Sequence, residues 1–137
     1  MPVSYLYFLE CILIALDIIR NILLYIENAD NNRIRIYDIS INLNLPIDVI
    51  KYHIDLLADK KFIILRGCVT VLSPDYKPYD AIQIVRMTFD GCDYLEAIKN
   101  DTIWNNVKKD LKRIGGSASL DIVKTLAVNI GLKILQE

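Results

Sequence analysis

A chain of 137 residues has room for one domain with a sizeable core, and 53% hydrophobic against 24% charged residues is rich in apolar material for that size. With 16 basic and 17 acidic residues the net charge is −1, which excludes a broad cationic surface, so any affinity for nucleic acid has to come from a local patch. Cys11, Cys68 and Cys92 are odd in number, far apart and without metal-ligand spacing, the pattern of free thiols in a reducing compartment, and the expected location is the cytoplasm.

Residues 1–15, MPVSYLYFLECILIA, are the most apolar stretch. They lack a basic leader and a small-residue cleavage site, and Glu10, Asp17 and Arg20 interrupt the run before the roughly 20 residues that a membrane span needs. An N-terminal extension that packs on the domain or on a second copy is therefore expected, with Tyr5, Phe8 and Leu9 as candidate oligomer contacts. From Leu16 to Asn28, Leu16, Ile19, Leu23 and Ile26 form one stripe widened by Ile22, which predicts a core helix closed by the turn residues 28–32. Arg33-Ile34-Arg35-Ile36 alternates and predicts a very short strand.

The stretch 37–62 reads as a helix-turn-helix. A short apolar helix carrying Ile36, Ile39, Ile41 and Leu43 meets a turn at Asn44-Leu45-Pro46, and a second helix runs from Ile47 to about Lys60. Pro46 suits its first turn, and Asp48 complements the positive end of its dipole. Ile50, Ile54 and Leu57 recur on one face, leaving Asp48, Lys51, Tyr52, Asp55 and Asp59 on the other. Residues 62–72 and 81–88 read as two strands around a Pro-containing loop, a hairpin wing in which Gly67 marks a bulge or bend.

Thr88 or Asp90 is the expected cap of a further helix with Phe89, Cys92, Leu95 and Ile98 on its inner side. Asp101–Ile114 carries Ile103, Trp104, Val107 and Leu111 as an apolar stripe, with Lys108, Lys109, Lys112 and Arg113 towards its end and Gly115-Gly116 as its stop. Ser117 or Ser119 caps a last helix whose apolar residues spread around more than one face, which points to a second chain; Ile130 and Ile134 are the candidate contacts. The expected fold is mainly α with a small β-hairpin, a winged helix-turn-helix with additional C-terminal helices. Its parts are an extension over 1–15, the winged helix-turn-helix over 16–100 and a helical pair over 101–137 packed on the same domain.

A resemblance sharpens this reading. Thr88, Gly91, the run Leu95-Glu96-Ala97-Ile98, Asp101-Thr102, Trp104-Asn105 and Gly115-Gly116-Ser117, together with the opening-helix segment DIIRNILLYIEN, resemble the family catalogued as domain of unknown function 2513 over roughly residues 17–137. Cys92 stands where that family often carries histidine, so no histidine chemistry carries over, and residues 1 to about 14 fall outside the pattern. The family is known mainly from bacteria, phages and prophages and has no assigned activity. The resemblance therefore implies a mobile-element origin and not a mechanism.

No catalytic, metal or cofactor site is expected. His53 is the single histidine and lies on a helix without an evident partner, and the aspartate pairs Asp90/Asp93 and Asp55/Asp59 have the spacing of a solvated helix face. Two readings of function remain. In the first, a dimeric phage or prophage regulator binds double-stranded DNA, with Lys51, Tyr52 and His53 approaching base edges or phosphates and Arg66, Lys77 and Arg86 of the wing on the backbone. In the second, the same face, with Asp55 among its acids, binds and redirects a host protein, because Asp48, Asp55 and Asp59 repel phosphate. The first is the preferred reading, on the regular helix-turn-helix and on the frequency with which this fold binds DNA, an analogy at the level of fold, and the second is its alternative.

Overall fold

The computed structural model describes residues 3–30, 33–67, 82–114 and 119–136. Six helices and three strands are found among them: α1 (Val3–Asn28), β1 (Ile34–Arg35), α2 (Ile36–Leu43), α3 (Ile47–Asp59), β2 (Ile63–Arg66), β3 (Gln83–Met87), α4 (Phe89–Ile98), α5 (Asp101–Ile114) and α6 (Leu120–Gln136). They form two compact units, Asn21–Cys92 and Met1–Arg20 with Asp93–Glu137.

The unit Asn21–Cys92 is a mainly helical assembly around a three-stranded antiparallel sheet in the order β1-β3-β2. A strand before the second helix that pairs with the last strand, and a helix-turn-helix between them, is a winged-helix-like arrangement. The predicted core residues Ile22, Leu23, Ile50, Ile54 and Leu57 are all buried, each contributing about 1.5–3 kcal/mol of transfer free energy. Ile36 and Ile39 join them, whereas Ile41 of the same short apolar helix is 63% exposed. A helix of only two turns has one inner edge, and Ile41 lies one turn on from Tyr37, which is also exposed.

The turn between α2 and α3 is held by its backbone. Asn44 adopts the left-handed conformation, with φ 54°, which asparagine tolerates. The Leu45 N–H donates to Ser40 O (3.1 Å) and the Ser40 hydroxyl to Leu45 O (2.6 Å). Pro46 stands one place before the helix rather than inside its first turn, its carbonyl accepting from Val49 and Ile50. At the other end of α3, Lys61 is left-handed (φ 64°), its N–H bonds Ala58 O and that of Phe62 bonds Leu57 O. That is a Schellman motif with lysine at the site usually given to glycine.

Of the predicted runs 62–72 and 81–88, the described residues hold β2 over Ile63–Arg66 and β3 over Gln83–Met87, and residues 68–81, with Cys68 and Lys77, lie outside the described residues. Gly67, expected to mark a bulge or bend in the first strand, has φ 126° and follows the last residue of β2. The bulge is elsewhere: Ile64 pairs with Arg86 and Leu65 with Ile84, so Val85 is the extra residue on β3. It places Ile84 and Met87 both inside although they are three apart, a spacing that strict alternation forbids.

Thr88 joins the sheet to α4. Its N–H donates to Phe62 O (2.8 Å) and its hydroxyl to Lys61 O (2.6 Å), while the hydroxyl oxygen accepts from the Gly91 N–H (3.1 Å) as the helix cap. The inner face of α4 is Gly91, Tyr94, Leu95 and Ile98; Phe89 and Cys92, predicted to be inside, are exposed. Gly91 decides the rotation, since a Cβ there would stand 2.2 Å from Phe62 O. Only the face with no side chain at 91 fits against that carbonyl.

In the unit Met1–Arg20 with Asp93–Glu137, α1 continues without a break from Val3, longer than the helix predicted from Leu16 to Asn28. α5 has the predicted bounds, with Trp104, Val107 and Leu111 buried and Asn100 accepting from the Ile103 N–H (3.0 Å) as its cap. Ser119 caps α6 through the Ile122 N–H (3.2 Å), and Gly115 and Gly116 lie outside the described residues. Arg20 ties three segments of this unit: Nε donates to Ile98 O (3.1 Å), and Nη2 to Lys99 O (2.7 Å) and Asp101 Oδ1 (2.8 Å). The guanidinium also lies 5.6 Å from the centre of the Trp104 ring. The indole Nε1–H in turn donates to Asp17 Oδ1 at 2.7 Å.

Candidate partner-binding face

α3 turns its apolar stripe inward and leaves Asp48, Tyr52, Leu56 and Asp59 exposed at steps of four and three residues, with Lys51 and Asp55 half-buried beside them. Tyr52 is 61% exposed and Leu56, which sequence reasoning did not single out, is exposed as well. Lys51 is the only cation on the helix, and its amine is held in an ion pair with Asp55 one turn later. Three aspartates against one neutralised lysine leave the outer face of α3 acidic. His53 does not belong to this face. It is 6% exposed, its Nδ1–H donates to Val49 O (2.8 Å), and the Tyr52 ring meets it edge-on at 5.3 Å. It braces α3 from inside and steadies Tyr52.

The wing cations are distributed differently. Arg66 ends β2, exposed; Arg86 is exposed on β3 with Nη1 donating to Met87 O (2.9 Å). On the preceding strand Arg35 is engaged by Asp38 at 2.9 Å. The structure thus brings Lys51, Tyr52 and Asp55 together on α3, and keeps Arg66 and Arg86 on the sheet.

Of the predicted oligomer contacts, Tyr5 and Phe8 have side chains outside the described residues. Leu9 is 7% exposed and already covered by its own chain, a correction that follows from α1 extending back as one helix. Ile130 is half-buried and Ile134 exposed, and with Ile134 the exposed set on α6 includes Ile122, Val128, Leu132 and Leu135.

Among the described residues no group of three His, Cys, Asp or Glu side chains is placed to hold a metal ion, and Cys11 and Cys92 are free, exposed thiols. Burial pushes the Tyr94 phenol well above its ordinary pKa. No helix among them is long and apolar enough to cross a membrane.

No solved structure matches the chain. An uncharacterized protein of Haemophilus influenzae (strain ATCC 51907 / DSM 11121 / KW20 / Rd) is 28% identical over 116 residues, covering 83% of this chain and 91% of that protein. The model of the family described as "Hypothetical protein (DUF2513)" matches residues 15–118, from within α1 to the approach to α6. The chain belongs to the domain of unknown function 2513 family.

Proposed function

We propose that the chain is a non-catalytic binding module that engages a partner protein through the outer face of α3, in a phage or prophage setting a protein of the host cytoplasm. One observation carries this reading: Asp55 neutralises the only lysine of α3, leaving Tyr52 and Leu56 flanked by Asp48 and Asp59. Phosphate contacts need unpaired cations, and here two exposed carboxylates would face the backbone of a duplex. An exposed tyrosine and leucine ringed by charge are instead the elements of a protein hot spot.

Double-stranded DNA is the second reading, favoured by the sheet order β1-β3-β2 next to a helix-turn-helix and by the exposed Arg66 and Arg86 on the wing strands. The two separate on substitution. Tyr52→Ala is expected to weaken protein capture by about 2 kcal/mol or more, as a hot-spot truncation does, and to leave retention on double-stranded DNA unchanged. Asp55→Asn releases Lys51, and in the DNA reading it raises retention on duplex. Loss of DNA retention in Lys51→Ala, with protein capture unaffected by Tyr52→Ala, would overturn the proposal.

A further inference from the structure

The described helices differ in how they end. α5 carries Lys112 and Arg113 in its last turn and α6 carries Lys133, while Lys60 and Lys61 follow α3 and Lys99 follows α4; such cations complement the negative end of the helix dipole. α1 and α2 are the exceptions. Neither has a basic residue in its last turn, α1 running on into Ala29 and Asp30 and α2 into Asn44 and Leu45. These two ends line one cavity of about 560 Å³ in the unit Asn21–Cys92. Its polar lining is Asn21, Tyr25, Asn28 and Asp30 from the α1 side and Asn42 from α2, with no lysine or arginine among the described residues. Asn28 Nδ2 donates to Leu24 O (2.9 Å), which leaves the amide oxygen as the acceptor. The N–H groups of Leu45 and Asn44 bond Ser40 O and Ile41 O, and Pro46, four residues after Asn42, has no N–H to give, so no helical bond reaches the Asn42 carbonyl.

We propose that this cavity binds a small organic cation, a compound of low molecular weight bearing ammonium or guanidinium groups. Each helix end contributes roughly half a negative charge, and the exposed Asp30 carboxylate adds a full one, so the site repels anions and favours a positive guest. The amide oxygens of Asn28 and Asn42 are acceptors for its N–H groups, and Tyr25 and Leu43 give its hydrocarbon part an apolar wall. A bare metal ion fits less well, because Asp30 is the only carboxylate in the lining and a cavity of this size takes a whole small molecule. The lining includes no residue of α3, so the site stands apart from the partner-binding face.

The test is isothermal titration calorimetry of the full chain with putrescine and agmatine, and with butanediol as the uncharged control of the same length. Both cations should bind saturably at one site per chain with a dissociation constant below about 1 mM, and the diol should not. Asp30→Asn should weaken them by about tenfold. Asn42→Lys, which puts the missing cation on the end of α2, should abolish binding while the melting temperature is kept or raised. Tyr52→Ala should change neither. The blocked tripeptide acetyl-Gly-Arg-Gly-amide presents a guanidinium as a partner's side chain would, and should bind more weakly than either free compound. No saturable binding of the cations, equal binding of the diol, tighter binding of the tripeptide, or binding indifferent to both substitutions in the cavity would overturn the proposal.

Discussion

Alanine in place of glycine should have opposite effects at two positions, and Gly91 is the sharper case. A Cβ at 91 would lie 2.2 Å from Phe62 O, 3.0 Å from Phe62 C and 3.2 Å from Phe62 Cα. An ordinary carbon–oxygen approach is about 3.3 Å, so the first turn of α4 and the start of β2 have to separate by about 1 Å. The same carbonyl accepts the Thr88 N–H at 2.8 Å, and the Thr88 hydroxyl bonds Lys61 O and the Gly91 N–H. The separation therefore strains a cap as well as a contact. Overpacking costs about 1–3 kcal/mol and a weakened hydrogen bond about 1 kcal/mol more, giving an expected loss of about 2–4 kcal/mol for Gly91→Ala. At Gly131, where the new Cβ meets only Ile103 Cδ1 at 3.6 Å, the gain in helix propensity should stabilise the fold by up to about 1 kcal/mol. Urea unfolding followed by far-ultraviolet circular dichroism at one protein concentration measures both. A loss below about 0.5 kcal/mol for Gly91→Ala, within the scatter of ordinary surface substitutions, would refute the close approach of α4 to Phe62.

Lys61→Gly should stabilise the protein by about 1 kcal/mol in the same assay, because glycine relieves the left-handed strain at φ 64° while the two backbone bonds of the motif stay in place. Arg20→Lys keeps the charge but loses the fork that serves Ile98 O, Lys99 O and Asp101 together, and should cost about 1–3 kcal/mol by thermal unfolding. The pKa of Tyr94 is raised by burial, so its share of stability is complete below the unfolded-state value of about 10 and falls as the unfolded phenol ionises at higher pH. Tyr94→Phe should accordingly show a shallower loss of stability above about pH 10 than the unmodified chain.

Periodicity and caps made much of this fold legible from sequence. Ile50, Ile54 and Leu57, the stripe of α5 and the turn at Asn44 each had a local signal: a repeat of 3.6, an apolar face over four turns, or a residue that tolerates positive φ. What was hidden depends on contacts distant in sequence. Phe89 and Cys92 have helical spacing from Leu95 and Ile98, yet α4 is rotated away from them because Phe62 O, 29 residues before Gly91, admits no side chain at 91. Val85 is invisible as a bulge until β3 has a partner strand, and Lys61 lacks the glycine that would mark a Schellman end. The α3 face was legible as a list of residues. Its charge balance was not, since the pairing of Lys51 with Asp55 decides whether a cation is available, and Leu56 shows as surface only once α3 has been docked through Ile50, Ile54 and Leu57.

The most direct measurement of the central claim is affinity capture from a bacterial host lysate, with and without nuclease, using the unmodified chain and Tyr52→Ala with Leu56→Ala as baits. The account predicts a specific protein retained after nuclease treatment by the unmodified chain and lost from the doubly substituted one, both baits being equally folded by circular dichroism. Capture that disappears with nuclease, or that survives removal of Tyr52 and Leu56, would contradict it.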